Sequence, residues 1–167
     1  MSARVASLNR SPGGVPKLAV AEAAVSAHGM AGDRQRDLRH HGGPDRALCL
    51  YSLDLITALR REGHPIAPGT VGENVTIEGL DWRAVVPGTR LRLGDAEVEI
   101  TSYAVPCRNI NGSFADGRSV RISQKLHPGW SRAYARVLRG ALLRTGDPVA
   151  FAAPAGEGDG SEVSRPF

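Results

Sequence analysis

The chain has 167 residues, enough for one domain with a real core, and its 41% hydrophobic and 23% charged content is that of an ordinary globular protein. No apolar run reaches the roughly 20 residues that a membrane-spanning helix needs, and residues 1–7 lack the apolar stretch of a secretory signal, so a cytoplasmic location and no membrane partner are expected. A formal charge of +4 and a pI near 9.6 suit an anionic ligand, whereas 5% aromatic content offers few stacking platforms and argues against nucleic acid.

Along the chain, short apolar runs alternate with glycine and proline. Residues 5–8 read as a first strand and residues 18–25 as a second, ending before His28-Gly29. Between them lie Arg10-Ser11 and Gly14-Val15-Pro16. Next comes a basic, glycine-flanked stretch from Gly32 to Pro44, carrying Arg34, Arg36, Arg39, His40 and His41. Its arginines suit bidentate binding of phosphate or carboxylate, and its glycines let backbone N–H groups approach an anion. A solvated turn, with its charge offset by Asp33, Asp37 and Asp45, is the plainer reading. His40 and His41 would point to opposite sides of a strand, which disfavours a zinc site shared with a cysteine.

Residues 47–51 read as a third strand holding Cys49, expected to be a buried, inert thiol. Ser52 then caps a helix over residues 53–62, with Leu53, Ile56 and Leu59 on one face and Gly63 and Pro65 as the stop. Glu73 and Asn74 follow Gly69 and Gly72 at the entrance of a strand through Val75-Thr76-Ile77. Asn74 suits a heterocycle edge or a phosphate, and equally suits turn chemistry with its own backbone.

The best-marked element is a hairpin. Residues 89–93 and 96–100 alternate around a Gly94-Asp95 turn. Pairing outward sets Leu93 opposite Ala96, Leu91 opposite Val98, Arg92 opposite Glu97 and Arg90 opposite Glu99. One face is apolar and the other carries opposite charges, so a one-residue slip would spoil both.

Cys107 follows in Pro106-Cys107-Arg108-Asn109. A thiol beside a cation in a loop fits a thiolate nucleophile or soft-metal ligand; a structural loop thiol is the alternative. Residues 118–126 are expected to be helical, residues 133–138 and 141–144 to be strands, and residues 148–152 a last strand. Residues 153–167 are rich in Gly, Ser and acid and are expected to form a disordered tail behind a single domain of residues 1–152. Two cysteines make no disulfide framework, and no Walker loop, GxSxG elbow or CxxC pair is present. Many short strands predict a mainly β fold with a few short helices, as a barrel or sandwich.

Taken together the chain resembles the MOSC domain, named for the C-terminal domain of molybdenum cofactor sulfurases. The match runs from about Val5 to Phe151. It rests on the order and spacing of Gly32-Asp33-Arg34, His41-Gly42-Gly43-Pro44-Asp45-Arg46-Ala47, Gly69 with Gly72-Glu73-Asn74, Pro87-Gly88 with Leu93-Gly94-Asp95, Pro106-Cys107, and Gly146-Asp147-Pro148-Val149. The resemblance implies a closed or partly open β-barrel of the small stand-alone bacterial type. It implies the molybdenum cofactor, with Cys107 as catalytic residue and metal ligand. Arg10, Ser11, Arg34 and Asn74 would hold the pterin and its phosphate; the residues themselves add Arg108, beside the thiol, as a cofactor-binding candidate and His40, His41 and Glu73 as candidate neighbours of the site. The implied activity is reduction of N-hydroxylated compounds with electrons from a partner reductase, since no flavin or nicotinamide motif is present. The alternatives are a sulfur carrier using a Cys107 persulfide, with a sulfur donor or acceptor protein as partner, and a non-enzymatic anion-binding module. The aminotransferase-like domain of the sulfurases has no counterpart in the sequence, so pyridoxal phosphate is not an expected cofactor.

Overall fold

The computed structural model describes residues 2–34 and 43–153. His40 and His41 lie outside the described residues, as does the expected tail apart from Ala153.

The hairpin forms in the register that its side-chain pattern dictates. Strands β7 (Arg90–Leu93) and β8 (Ala96–Tyr103) pair Leu91 with Val98, Leu93 with Ala96 and Arg90 with Glu99. Leu91, Leu93, Val98 and Ile100 are all buried, while Arg90 Nε reaches Glu99 Oε2 at 3.2 Å on the wetter face. This hairpin is part of an eight-stranded sheet. The other strands are β1 (Arg4–Arg10), β2 (Leu18–Val20), β5 (Leu48–Ser52), β6 (Val75–Glu78), β9 (Ala133–Arg139) and β11 (Val149–Ala152), in the spatial order β11-β7-β8-β9-β5-β6-β1-β2. A smaller sheet packs β10 (Ala141–Arg144) beside β3 (Glu22–Ser26) and β4 (Gly29–Met30).

Of the named strand pairs only β5 and β6 are parallel. A parallel pair needs a crossover, and helix α1 (Leu53–Arg61) supplies it. Ser52 Oγ accepts the Leu55 N–H at 3.2 Å, and Ile56 and Leu59 face the core, as the pattern of residues 53–62 predicts. The large sheet curls without closing into a continuous barrel. A short stitch joins β1, next to the edge strand β2, to the residues that lead into β11: Val5 N donates to Asp147 O and Gly146 N to Val5 O, both at 2.8 Å, and Val149 N to Ala3 O at 3.0 Å.

Two sequence expectations need correction. The apolar run 18–25 is not one strand. It breaks at Ala21, whose carbonyl accepts the Thr145 N–H, so that β2 pairs with β1 in the large sheet and β3 with β10 in the small one. No glycine or proline marks that change of partner. Residues 118–126 do not form an α-helix but a single 3-10 turn, Ser119–Ile122. Ser119 ties that turn to the loops beside it: its N–H donates to Asn111 Oδ1, and its hydroxyl to the Cys107 carbonyl at 3.2 Å. Side-chain bonds to backbone of this kind compete with regular helix.

Candidate functional site

Strand parity builds the site. On β5, Leu48 and Leu50 point into the main core, whereas Cys49 points to the other face and packs with Ala104 and Tyr134 in a separate small cluster. That second face opens into a cavity of about 140 Å³. Besides Cys49, its walls come from five places in the sequence: Gly14, Val15 and Lys17; Arg34; Val71 and Gly72; Cys107, Asn109 and Ile110; and Arg132 with Tyr134 at the start of β9.

A buried polar frame behind the cavity holds these segments together. The Asp33 carboxylate is fully engaged: Oδ1 accepts the Ser11 N–H at 2.9 Å, and Oδ2 accepts from Lys17 Nζ at 2.7 Å and Asn74 Nδ2 at 3.0 Å. Asn74 in turn clamps Cys49 in both directions. Its Oδ1 accepts the Cys49 N–H at 3.0 Å, and its own N–H donates to the Cys49 carbonyl at 2.7 Å. Glu73 Oε1 accepts the Gly69 N–H and Oε2 the Thr76 hydroxyl, both at 3.0 Å. Burial pushes the Glu73 carboxyl up to about 6, against the opposing pull of these hydrogen bonds and of Arg132. Gly69 itself is obligatory, because at φ +86 a Cβ would stand 2.1 Å from the Lys17 carbonyl oxygen.

The cavity carries positive charge. Arg34 is exposed and reaches its wall, while its backbone N–H is pinned to the Ser11 carbonyl at 2.8 Å. Arg132 is buried, donating Nη1 to the Val71 carbonyl at 2.8 Å and Nη2 to the Val105 carbonyl at 3.3 Å. Its Nε is buried with no hydrogen-bond partner among the described residues, and no carboxylate there forms an ion pair with it. Lys17 is already neutralised by Asp33.

The sequence-nominated residues divide into three groups. Cys107 and Arg34 line the cavity together. Arg108 is exposed between the lining residues Cys107 and Asn109. Arg10, Ser11, Glu73 and Asn74 do not line it. Arg10 donates to the Ala31 carbonyl at 3.1 Å, Ser11 closes a turn with Gly13, and Glu73 and Asn74 are wholly buried in the frame. Sequence reasoning missed Lys17, Arg132, Tyr134 and the cavity-facing orientation of Cys49. For Arg132, in Ser131-Arg132-Ala133-Tyr134, no local signal existed. Lys17 is one of only two lysines in an arginine-rich chain, the single hint available.

Cys49 is buried as expected, and burial pushes its thiol up to about 11. Cys49 nevertheless lines the same cavity as Cys107, which is half-buried at the end of its loop.

The family model of the MOSC domain matches residues 37–150. The chain belongs to the MOSC domain family. Within that family it is similar to the uncharacterized protein YflK of Bacillus subtilis, 31% identical over 116 residues, which cover 69% of this chain and 52% of YflK. Protein YiiM of Escherichia coli is 33% identical over 109 residues, covering 62% of this chain and 48% of YiiM. The MOSC chain thus spans about half the length of these curated relatives. The crystal structure of YiiM from Geobacillus stearothermophilus superposes with a TM-score of 0.68 at 26% identity, over 90% of this chain and 75% of that one. Among the described residues no helix is long and apolar enough to cross a membrane.

Proposed function

We propose that this MOSC chain binds the molybdenum cofactor in the Cys107 cavity and reduces N-hydroxylated compounds with electrons from an external donor. The observation that carries the reading is the donor set of one cavity: a thiol, Cys107, lining it together with the cationic Arg34 and Arg132, with Arg132 Nε buried and without a partner among the described residues. The residues present fit a group that combines a soft metal with an anionic pterin phosphate. Cys107 is the soft ligand, and Arg34 and Arg132 are the planar cations that suit phosphate. Arg10, Ser11 and Asn74 act here as the frame that presents Lys17, Arg34 and Cys49.

When bound, the cofactor supplies the two-electron redox chemistry. In the net reaction an N–OH bond breaks, two electrons and two protons enter, and an N–H compound and water leave. The chain's own part is to hold and orient. Val15, Val71 and Ile110 give the cavity apolar lining, and Arg132 and Arg34 would fix the anion.

The test is purification from a host competent in cofactor synthesis, with elemental analysis for molybdenum and fluorescence for pterin. Wild type is expected to carry both. Cys107→Ser should lose the metal and the turnover of an N-hydroxylated base, because a hydroxyl is a poor soft-metal ligand. Full metal content and full turnover in Cys107→Ser would overturn the reading.

A second reading, a sulfur carrier, draws support from the partial exposure of Cys107, which lets a protein donor reach it. It predicts a Cys107 persulfide, seen as one added sulfur by mass, on protein that lacks molybdenum.

A further inference from the structure

We propose that Cys49 and Cys107 form a reversible intramolecular disulfide, so that the cavity is a two-thiol site in which Cys49 resolves an oxidised Cys107. The two are the chain's only cysteines, distant in sequence, and the fold brings both to the lining of one cavity. The space they share, about 140 Å³, is comparable to the ~150 Å³ cavity that a single benzene fills. Cys49 belongs to a small cluster separate from the main core and packs with Ala104, the residue that opens the loop leading to Cys107.

The two thiols differ in freedom. Cys49 is fixed, paired with Tyr134 in the β5–β9 ladder on one side and clamped by Asn74 on the other. Cys107 sits outside any strand, as the extended residue before the 3-10 turn Arg108–Ser113. Its carbonyl is held by Ile110 N–H and the Ser119 hydroxyl, both at 3.2 Å. Val105, two residues earlier, is 78% exposed, so a shift of this loop gives up the hydrogen bonds that Arg132 and Ser119 donate to its carbonyls rather than Val105 packing. The bridge therefore forms with the Cys107 loop adjusting to a stationary Cys49, at a Cα separation in the disulfide range of about 4.4–6.8 Å.

The oxidant is a hydroperoxide. In the first step the Cys107 sulfur attacks one peroxide oxygen, an S–O bond forms, the O–O bond breaks, and hydroxide or alkoxide leaves and is protonated. In the second step the Cys49 sulfur attacks the Cys107 sulfenic sulfur, the S–S bond forms, the S–O bond breaks, and the departing hydroxide takes the Cys49 proton and leaves as water. Two thiols lose two electrons in all, and the peroxide takes them up. A small dithiol reverses the bridge by exchange. The disulfide stands independently of the cofactor reading. Its consequence rests on that reading: an oxidised Cys107 is no longer a thiolate ligand, so oxidation would close the site to the metal.

The experiment uses the full chain, purified without cofactor and treated with hydrogen peroxide in excess of the two equivalents that sulfinic acid requires, then read by intact mass and peptide mapping. The expected product is a monomer two hydrogens lighter, with a peptide linking residues 49 and 107, restored by dithiothreitol. Cys49→Ala should instead take Cys107 on to sulfinic acid, two oxygens heavier and not restored by dithiothreitol. Wild-type protein that reaches Cys107 sulfinic acid with Cys49 still free, or that forms only a disulfide between two copies, overturns the proposal. Because the mapping is done on wild type, a poorly folding variant does not decide the matter. Molybdenum content of reduced protein is a separate measurement, so failure of the bridge and failure of the cofactor reading are told apart.

Discussion

Lys17 Nζ stands 2.7 Å from Asp33 Oδ2, with only 6% and 5% of the two side chains exposed. The pair joins the β1–β2 loop to the loop that carries Arg34, and through Asn74 it also reaches the Cys49 strand. Three walls of the cavity therefore depend on one carboxylate.

Removing that carboxylate leaves a buried ammonium without its counter-charge. Asp33→Ala is expected to lose about 3–5 kcal/mol of stability, the usual cost of breaking a buried pair by one partner. Urea denaturation checks it. The double variant Asp33→Ala with Lys17→Met should recover part of the loss, since no bare charge remains.

Anion binding gives a direct reading of the cavity charge. Millimolar inorganic phosphate is expected to raise the melting temperature of wild type. In Arg34→Ala the phosphate Kd should rise about tenfold, the equivalent of one charge-assisted contact of about 1.4 kcal/mol, with the unliganded melting temperature unchanged because Arg34 is exposed. An identical phosphate response in wild type and Arg34→Ala would remove Arg34 from the site.

Glu73 imposes a pH dependence of definite sign. Its folded value, about 6, lies above the 4.5 of the free group, so between these values the native state binds more protons than the unfolded one. Stability from this group is complete below about pH 4.5 and is lost as pH rises through 6, by about 2 kcal/mol. Glu73→Gln should flatten that part of the stability profile measured by urea denaturation from pH 4.5 to 7.

The two thiols should alkylate in sequence. Cys49 is 3% exposed and is held protonated at neutral pH by its burial, whereas Cys107 is half-exposed at the cavity edge. Under native conditions iodoacetamide should label Cys107 first and Cys49 only after unfolding, as followed by peptide mass.

Leu91→Ala tests the hairpin core. Leu91 is wholly buried opposite Val98, and its truncation is expected to cost about 2–5 kcal/mol by chemical denaturation. A cost near zero would mean that this face is not packed in solution.

Much of the fold was legible because its signals are local. The alternation of residues 89–100 around Gly94-Asp95 dictates which side chains oppose each other, and the observed register follows it pair by pair. Ser52 ahead of Leu53, Ile56 and Leu59 is a cap followed by an apolar stripe, and helix α1 starts there. The expectation at residues 18–25 failed because a strand that changes sheets at Ala21 keeps the same apolar composition throughout. Nothing in composition states which edge a strand will find.

By itself, then, the sequence determined the hairpin register, the capped helix, the mainly β class and the loops that carry Arg34 and Cys107, since each follows from the period of neighbouring side chains or from turn chemistry. Only the tertiary structure decided which residues share the cavity. Cys49, Arg132 and Tyr134 meet Cys107 there because β5, β9 and the loop after β8 lie side by side, a long-range pairing that no local window contains. Asn74 illustrates the same limit. Its type at that position suited ligand or turn equally, and only the approach of Cys49, Asn9 and Asp33 shows its amide turned inward, to the frame.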